Sequence, residues 1–211
     1  MSIVTRYVIL YADDILLITQ SLRELQRLLR VCEIELQWLD MSVNPKKTCC
    51  LRIGPRCDAK CVNITTSDGH IIPWVKEIRY LGIYITQGHH FKCSWDKAKR
   101  GFYRAMNAVY GKVGTVASEE TMLQLISAKC IPVLLYGTDV CPLNKSELNS
   151  LDFAVTRFLM KLFRSNSNDL IKECRQYFGF LLPSELIERR KLTFIDKYKN
   201  SKNILCNLFC P

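Results

Sequence analysis

With 211 residues and 48% apolar content, the chain is long enough for one domain or two small lobes and can bury a core, which excludes a disordered polymer. Its 30 Lys and Arg against 20 Asp and Glu leave a net charge of +10, which suits a polyanionic partner but is equally met by solvated helical faces. No run of 18 apolar residues occurs, so no membrane span is expected, and 11 scattered cysteines fit reduced core thiols of a nuclear or cytoplasmic protein rather than a secreted disulfide framework.

In chain order, Tyr7–Leu10 and Ile15–Ile18 read as the strands of a β-hairpin, with Tyr11, Ala12, Asp13 and Asp14 between them. Asp13 and Asp14 interrupt the apolar run and no small-residue cleavage site follows, so the segment is neither signal peptide nor anchor. Ser21 can cap a long helix whose apolar face is Leu22, Leu25, Leu28, Leu29, Cys32, Leu36 and Leu39; Arg23, Glu24, Arg27, Arg30 and Glu33 form its solvated face. Asp40, Ser42, Asn44 and Pro45 end it, and Cys49–Ile53 reads as a strand broken by Gly54 and Pro55. Ile64 marks an edge strand, Ser67, Asp68 and Gly69 a turn, Ile71 and Ile72 a returning strand, and Ile78–Ile85 a second hairpin around Gly82. From Trp95 the spacing becomes helical through Tyr110, and further helices are expected over 119–135, 146–163, 168–177 and 184–198. The chain therefore divides near residue 94 into an α+β lobe, 1–94, and an all-helical lobe, 95–211.

Two adjacent aspartates at a strand–turn–strand tip repel one another unless a cation or hydrogen-bond donors offset the charge. Carboxylate oxygens are hard ligands suited to Mg²⁺ or Mn²⁺, and a tight turn holds them rigid yet exposed. The bland alternative is a pair of ordinary turn residues, since Asp is favoured in turns.

The full string Tyr11-Ala12-Asp13-Asp14, between Val8-Ile9-Leu10 and Ile15-Leu16-Leu17-Ile18, resembles the Tyr-Ala-Asp-Asp signature of reverse transcriptases, especially those of non-LTR (LINE-like) retrotransposons. Asn44-Pro45-Lys46-Lys47-Thr48 resembles the family's Asn-x-x-Lys-Thr segment and Tyr80-Leu81-Gly82 its primer grip, in the family's order. The resemblance implies the second part of a palm, an antiparallel sheet with a packed helix, over 1–94, then a helical thumb-like region over 95–211. It implies an RNA-directed DNA polymerase, a nucleotidyltransferase using two metal ions, with RNA template, DNA primer and deoxynucleotides as partners. Asp13 would ligate metal with Asp14 as the less essential neighbour, Tyr11 and Ala12 would lie beside primer terminus and incoming nucleotide, and Lys47 would face the pyrophosphate. Tyr80, Leu81 and Gly82 would support the primer end, and Lys97, Lys99, Arg100 and Arg104 would track the duplex backbone or simply solvate a helix.

Only ten residues precede Tyr11, too few for the earlier strand with the family's third aspartate, so the expectation is a fragment that does not polymerise alone and whose hairpin leaves apolar surface uncovered. Two other readings stand beside it: a nucleic-acid-binding remnant without catalysis, and a group II intron-type maturase sharing the double aspartate. Cys57 with Cys61, near Cys49, Cys50 and His70, matches no tight zinc spacing, and neither does Cys206 with Cys210 or His89 and His90 with Cys93, so no zinc site is expected.

Overall fold

In a computed structural model that describes residues 6–114 and 116–208, the chain forms two units, 1–79 with 85–91 and 80–84 with 92–211. Cys210 lies outside the described residues.

The first unit opens with strands β1 (Arg6–Tyr11) and β2 (Asp14–Thr19), antiparallel in the register Val8–Leu17, Leu10–Ile15 and Tyr11–Asp14. Helix α1 (Leu22–Trp38) follows, its first turn capped by Ser21 Oγ, which accepts from Glu24 N at 3.3 Å. Past Trp38 the chain leaves the helix through Asp40 in the left-handed region, φ 52°. Leu29 of α1 is buried with Ile64 of β3 (Ile64–Thr65) and Ile72 of β4 (Ile71–Ile72), and Leu17, Leu25, Val43, Cys50 and Trp74 pack around them. Leu17 thus anchors the hairpin to the helix.

Two sequence readings change here. Glu33 is buried rather than solvated: its carboxylate accepts from Ser67 N at 3.0 and 3.1 Å and from Ser67 Oγ at 2.6 Å, closing the 66–69 turn. Two turns earlier, Gln26 pairs with both backbone groups of Thr65, at 2.6 and 2.9 Å. Cys49–Ile53 forms no strand; only isolated bridges join Cys50 to Trp74 and Ile53 to Gly88. The reason is that Arg52 reaches forward to the Cys57 and Ala59 carbonyls, curling the chain after Ile53 instead of extending it.

Strands β5 (Glu77–Tyr80), β6 (Ile83–Thr86) and β7 (Lys92–Ser94) make a sheet in that order, β7 being unforeseen. The helical part comprises α2 (Asp96–Val113), α3 (Glu119–Leu125), α4 (Ile131–Leu134), α5 (Lys145–Leu162), α6 (Asn168–Tyr177), α7 (Pro183–Lys199) and a short α8 (Ile204–Leu208). The expected 119–135 helix is interrupted by a π-helical stretch, Ile126–Cys130, because Pro132 has no N–H to return to the preceding turn. Phe102, Met122, Ile126, Leu134, Leu151, Phe158 and Ile187 are buried, and Asn144 and Glu147 close a reciprocal capping box on α5 at 2.8 Å each way. Helices with small antiparallel sheets make the fold α+β. Among the described residues no helix is long and apolar enough to cross a membrane.

Candidate functional site

The turn between β1 and β2 consists of Ala12 and Asp13, with Asp14 already paired across the ladder to Tyr11. Ala12 sits at φ 51°, a left-handed conformation that costs a non-glycine residue about 1–2 kcal/mol. Hairpin turns that match strand twist demand such angles, and most sequences meet them with Gly or Asn. Tyr11, Ala12, Asp13 and Asp14 are all exposed. The hairpin therefore holds two carboxylates at a strained tip, open to solvent and to a ligand.

Their donor set suits a hard divalent cation, which is commonly held by one or two carboxylates plus water and substrate phosphates. Among the described residues no further His, Cys, Asp or Glu ligand atom joins the pair within 4.8 Å. By themselves the two carboxylates could furnish only part of a coordination shell.

Lys47 is displayed by a second turn in the same unit. The carbonyl of Asn44 accepts from Lys47 N at 3.2 Å, Thr48 N at 3.0 Å and Thr48 Oγ1 at 2.8 Å, while Asn44 Oδ1 accepts from Lys46 N at 3.0 Å. Asn44 and Thr48 thus lock the loop from both ends, and Lys46 and Lys47 stand exposed between them. The Asn and Thr of the pattern brace the loop, and the two lysines project into solvent.

In the second unit, Leu81 and Gly82 form the turn of the β5–β6 hairpin with φ 47° and 82°, both positive as a type I′ turn requires. Tyr136 donates its hydroxyl to Leu81 O at 2.9 Å, and a Cβ on Gly82 would stand 2.9 Å from Tyr136 Cε1. Gly137, at φ 76°, is pressed against Ile83 in the same way, a Cβ there meeting Ile83 Cδ1 at 2.7 Å. The Tyr80–Gly82 turn is therefore seated on Tyr136 and Gly137. Tyr136 is a supporting residue the sequence reading did not assign, and its only signal was the Tyr-Gly pair after an apolar run.

Of the four basic residues on α2, Lys97, Arg100 and Arg104 are exposed and lie three and four positions apart, on one face. Lys97 also stacks its ammonium over the Tyr84 ring, 5.5 Å from the centroid. Lys99 stands apart, bonded to Asp96 at 3.0 Å and to Ser150 Oγ of α5 at 3.0 Å. It packs α2 on α5.

Neither a curated protein nor a solved structure matches the chain. Residues 2–85, which carry the aspartate hairpin, the Asn44–Thr48 turn and the Tyr80–Gly82 turn, match the family model described as Reverse transcriptase (RNA-dependent DNA polymerase).

Proposed function

We propose that the chain is a palm and thumb module of an RNA-directed DNA polymerase of the non-LTR retrotransposon type, acting on an RNA template with a DNA primer. The observation that carries this reading is the Asp13–Asp14 pair exposed at a strained hairpin tip within the segment that matches the family model. Asp13 and Asp14 would hold Mg²⁺, or Mn²⁺, which when bound activates the primer hydroxyl and stabilises the leaving pyrophosphate. Lys47, displayed by the Asn44–Thr48 lock, supplies positive charge to the pyrophosphate. The Leu81–Gly82 turn, backed by Tyr136, supports the primer end, and Lys97, Arg100 and Arg104 contact backbone phosphates.

Because no third acidic ligand accompanies the pair among the described residues, catalysis on this reading needs a carboxylate from another polypeptide segment. Purified chain with template, primer, deoxynucleotides and Mg²⁺ is expected to bind the duplex without extending the primer. Adding a segment that bears the third carboxylate should bring extension, and Asp13→Asn should abolish it. Extension by the chain alone would remove the need for a third carboxylate, and absence of duplex binding at low salt would remove the polymerase reading. The basic face of α2 also favours a second reading, nucleic-acid binding without catalysis. Under that reading binding survives Asp13→Asn and no added segment yields extension.

A further inference from the structure

Two segments of the first unit that are far apart in sequence meet beside β6. Gly54 N donates to Gly88 O at 2.9 Å, and Ile53 bridges Gly88. This juxtaposition brings Cys57 Sγ, an Asp58 carboxylate oxygen and a His89 ring nitrogen within 4.8 Å of one another. Cys57 is 2% exposed and forms the floor, while Asp58 and His89 are exposed at the rim. The thiol lies 3.5 Å from Asp58 Oδ2.

The surroundings brace the Cys57–Asp58 part of the cluster. Gln87 Nε2 donates to Asp58 Oδ1 at 3.0 Å and to Cys57 O at 2.7 Å. The Arg52 guanidinium donates to Cys57 O at 2.6 and 3.0 Å and to Ala59 O. A ligating carboxylate is commonly oriented by such an outer hydrogen bond, and here the donor comes from the same short segment as the histidine. The sequence reading set Cys57 with Cys61, and His89 with His90 and Cys93; the fold pairs Cys57 with His89 instead.

We propose that Cys57, Asp58 and His89 bind one Zn²⁺, with water as fourth ligand, stapling the 54–59 turn to the 87–89 segment. A sulfur, a nitrogen and an oxygen donor suit this borderline-soft ion, whereas Mg²⁺ takes oxygen alone. Bond lengths of about 2.0–2.3 Å in tetrahedral geometry put ligand atoms about 3.3–3.7 Å apart. The exposed Asp58 and His89 side chains can close that gap by rotation. The Zn²⁺ site uses none of the residues assigned to polymerisation, so its fate is independent of that assignment.

The test is metal titration of the full chain, reduced and metal-free, with Zn²⁺ and then with Co²⁺ as a spectroscopic stand-in. One Zn²⁺ per chain should bind, and Co²⁺ should give a thiolate charge-transfer band with the intense visible bands of a tetrahedral site. His89→Ala and Asp58→Asn should each weaken binding at least about tenfold, and Gln87→Ala about 10–100-fold, as lost outer-shell bonds do. His90→Ala and Cys61→Ser should leave it unchanged. Cys57→Ser replaces a buried group and risks the fold, so the exposed variants decide. Absence of stoichiometric Zn²⁺, a Co²⁺ spectrum without thiolate, or undiminished binding in His89→Ala and Asp58→Asn would overturn the site.

Discussion

Gly82 combines a left-handed backbone with an aromatic neighbour in close contact. Its φ of 82° penalises any side chain, and the Tyr136 ring that a methyl would strike is tethered by its own hydroxyl to Leu81 O. Gly82→Ala therefore has to accept strain and release that hydrogen bond, partly offset by a less flexible unfolded chain. The expected loss is about 1–2 kcal/mol, with faster hydrogen exchange at the Ile83 and Tyr84 amides. Tyr136→Phe loses only the hydrogen bond, and because the ring is 57% exposed water replaces it, so its loss should stay below about 1 kcal/mol. Equal stability of Gly82→Ala and the parent chain would show that Tyr136 yields freely and does not brace the turn. The Ala12–Asp13 turn carries similar strain at Ala12 without glycine, and its motif was legible through the whole Tyr11–Asp14 string between two apolar runs, since aspartates alone are ordinary turn residues.

At the scale of elements, what could be read from the sequence was what depends on neighbours within a turn or a ladder. Ser21 caps α1, apolar spacing marks α2, α5, α6 and α7, and the two hairpins follow from apolar runs around a turn. What could not be read depends on partners far along the chain. Glu33 looks like a surface residue until Ser67, 34 positions on, supplies its donors. Arg52 looks like the exposed position of a strand until the Cys57 and Ala59 carbonyls claim it, and His89 and Cys57 share no local spacing. Strand β7 hides in a short stretch around Cys93, whose burial only the fold reveals. That burial, then the adjacent Cys141 thiol and the Glu147 charge, push the Cys93 thiol above its ordinary value of 9.0. Burial, followed by Cys49 and Cys61, pushes Cys50 up to about 11. For a raised pKa the stabilising contribution is complete below the unfolded value, where both states keep the proton. Above about pH 9 the unfolded chain ionises first, so stability falls as pH rises toward the folded values. The urea midpoint should drop between pH 9 and pH 11, and Cys93→Ala should flatten that drop; an identical slope would show that Cys93 is not kept neutral by the fold.

At the scale of the whole molecule, the β1–β2 hairpin leaves several large apolar side chains exposed. Register places Val8, Leu10, Ile15 and Leu17 on one face and Tyr7, Ile9, Tyr11, Leu16 and Ile18 on the other. Leu17 packs into the first core, yet both faces stay open along most of the hairpin: Tyr7, Ile9, Tyr11 and Ile18 are 42%, 46%, 61% and 43% exposed, and Val8, Leu10 and Ile15, on the Leu17 face, are 46%, 67% and 37% exposed. An apolar strand face left bare is a site for association, opposed here by a net charge of +10 that salt screens. The chain should therefore self-associate more strongly as concentration and ionic strength rise, the reverse of the salt response of phosphate binding. Sedimentation velocity over a salt series separates the two. Ile9→Lys with Ile18→Lys should weaken association at high salt while leaving thermal unfolding nearly unchanged, because both residues are surface groups. Leu17→Ala, at the partly buried contact with the core, should instead destabilise the first unit by about 1–2 kcal/mol without relieving association. If the lysine pair associates as strongly as the parent chain, the Ile9–Ile18 face is not what brings copies together.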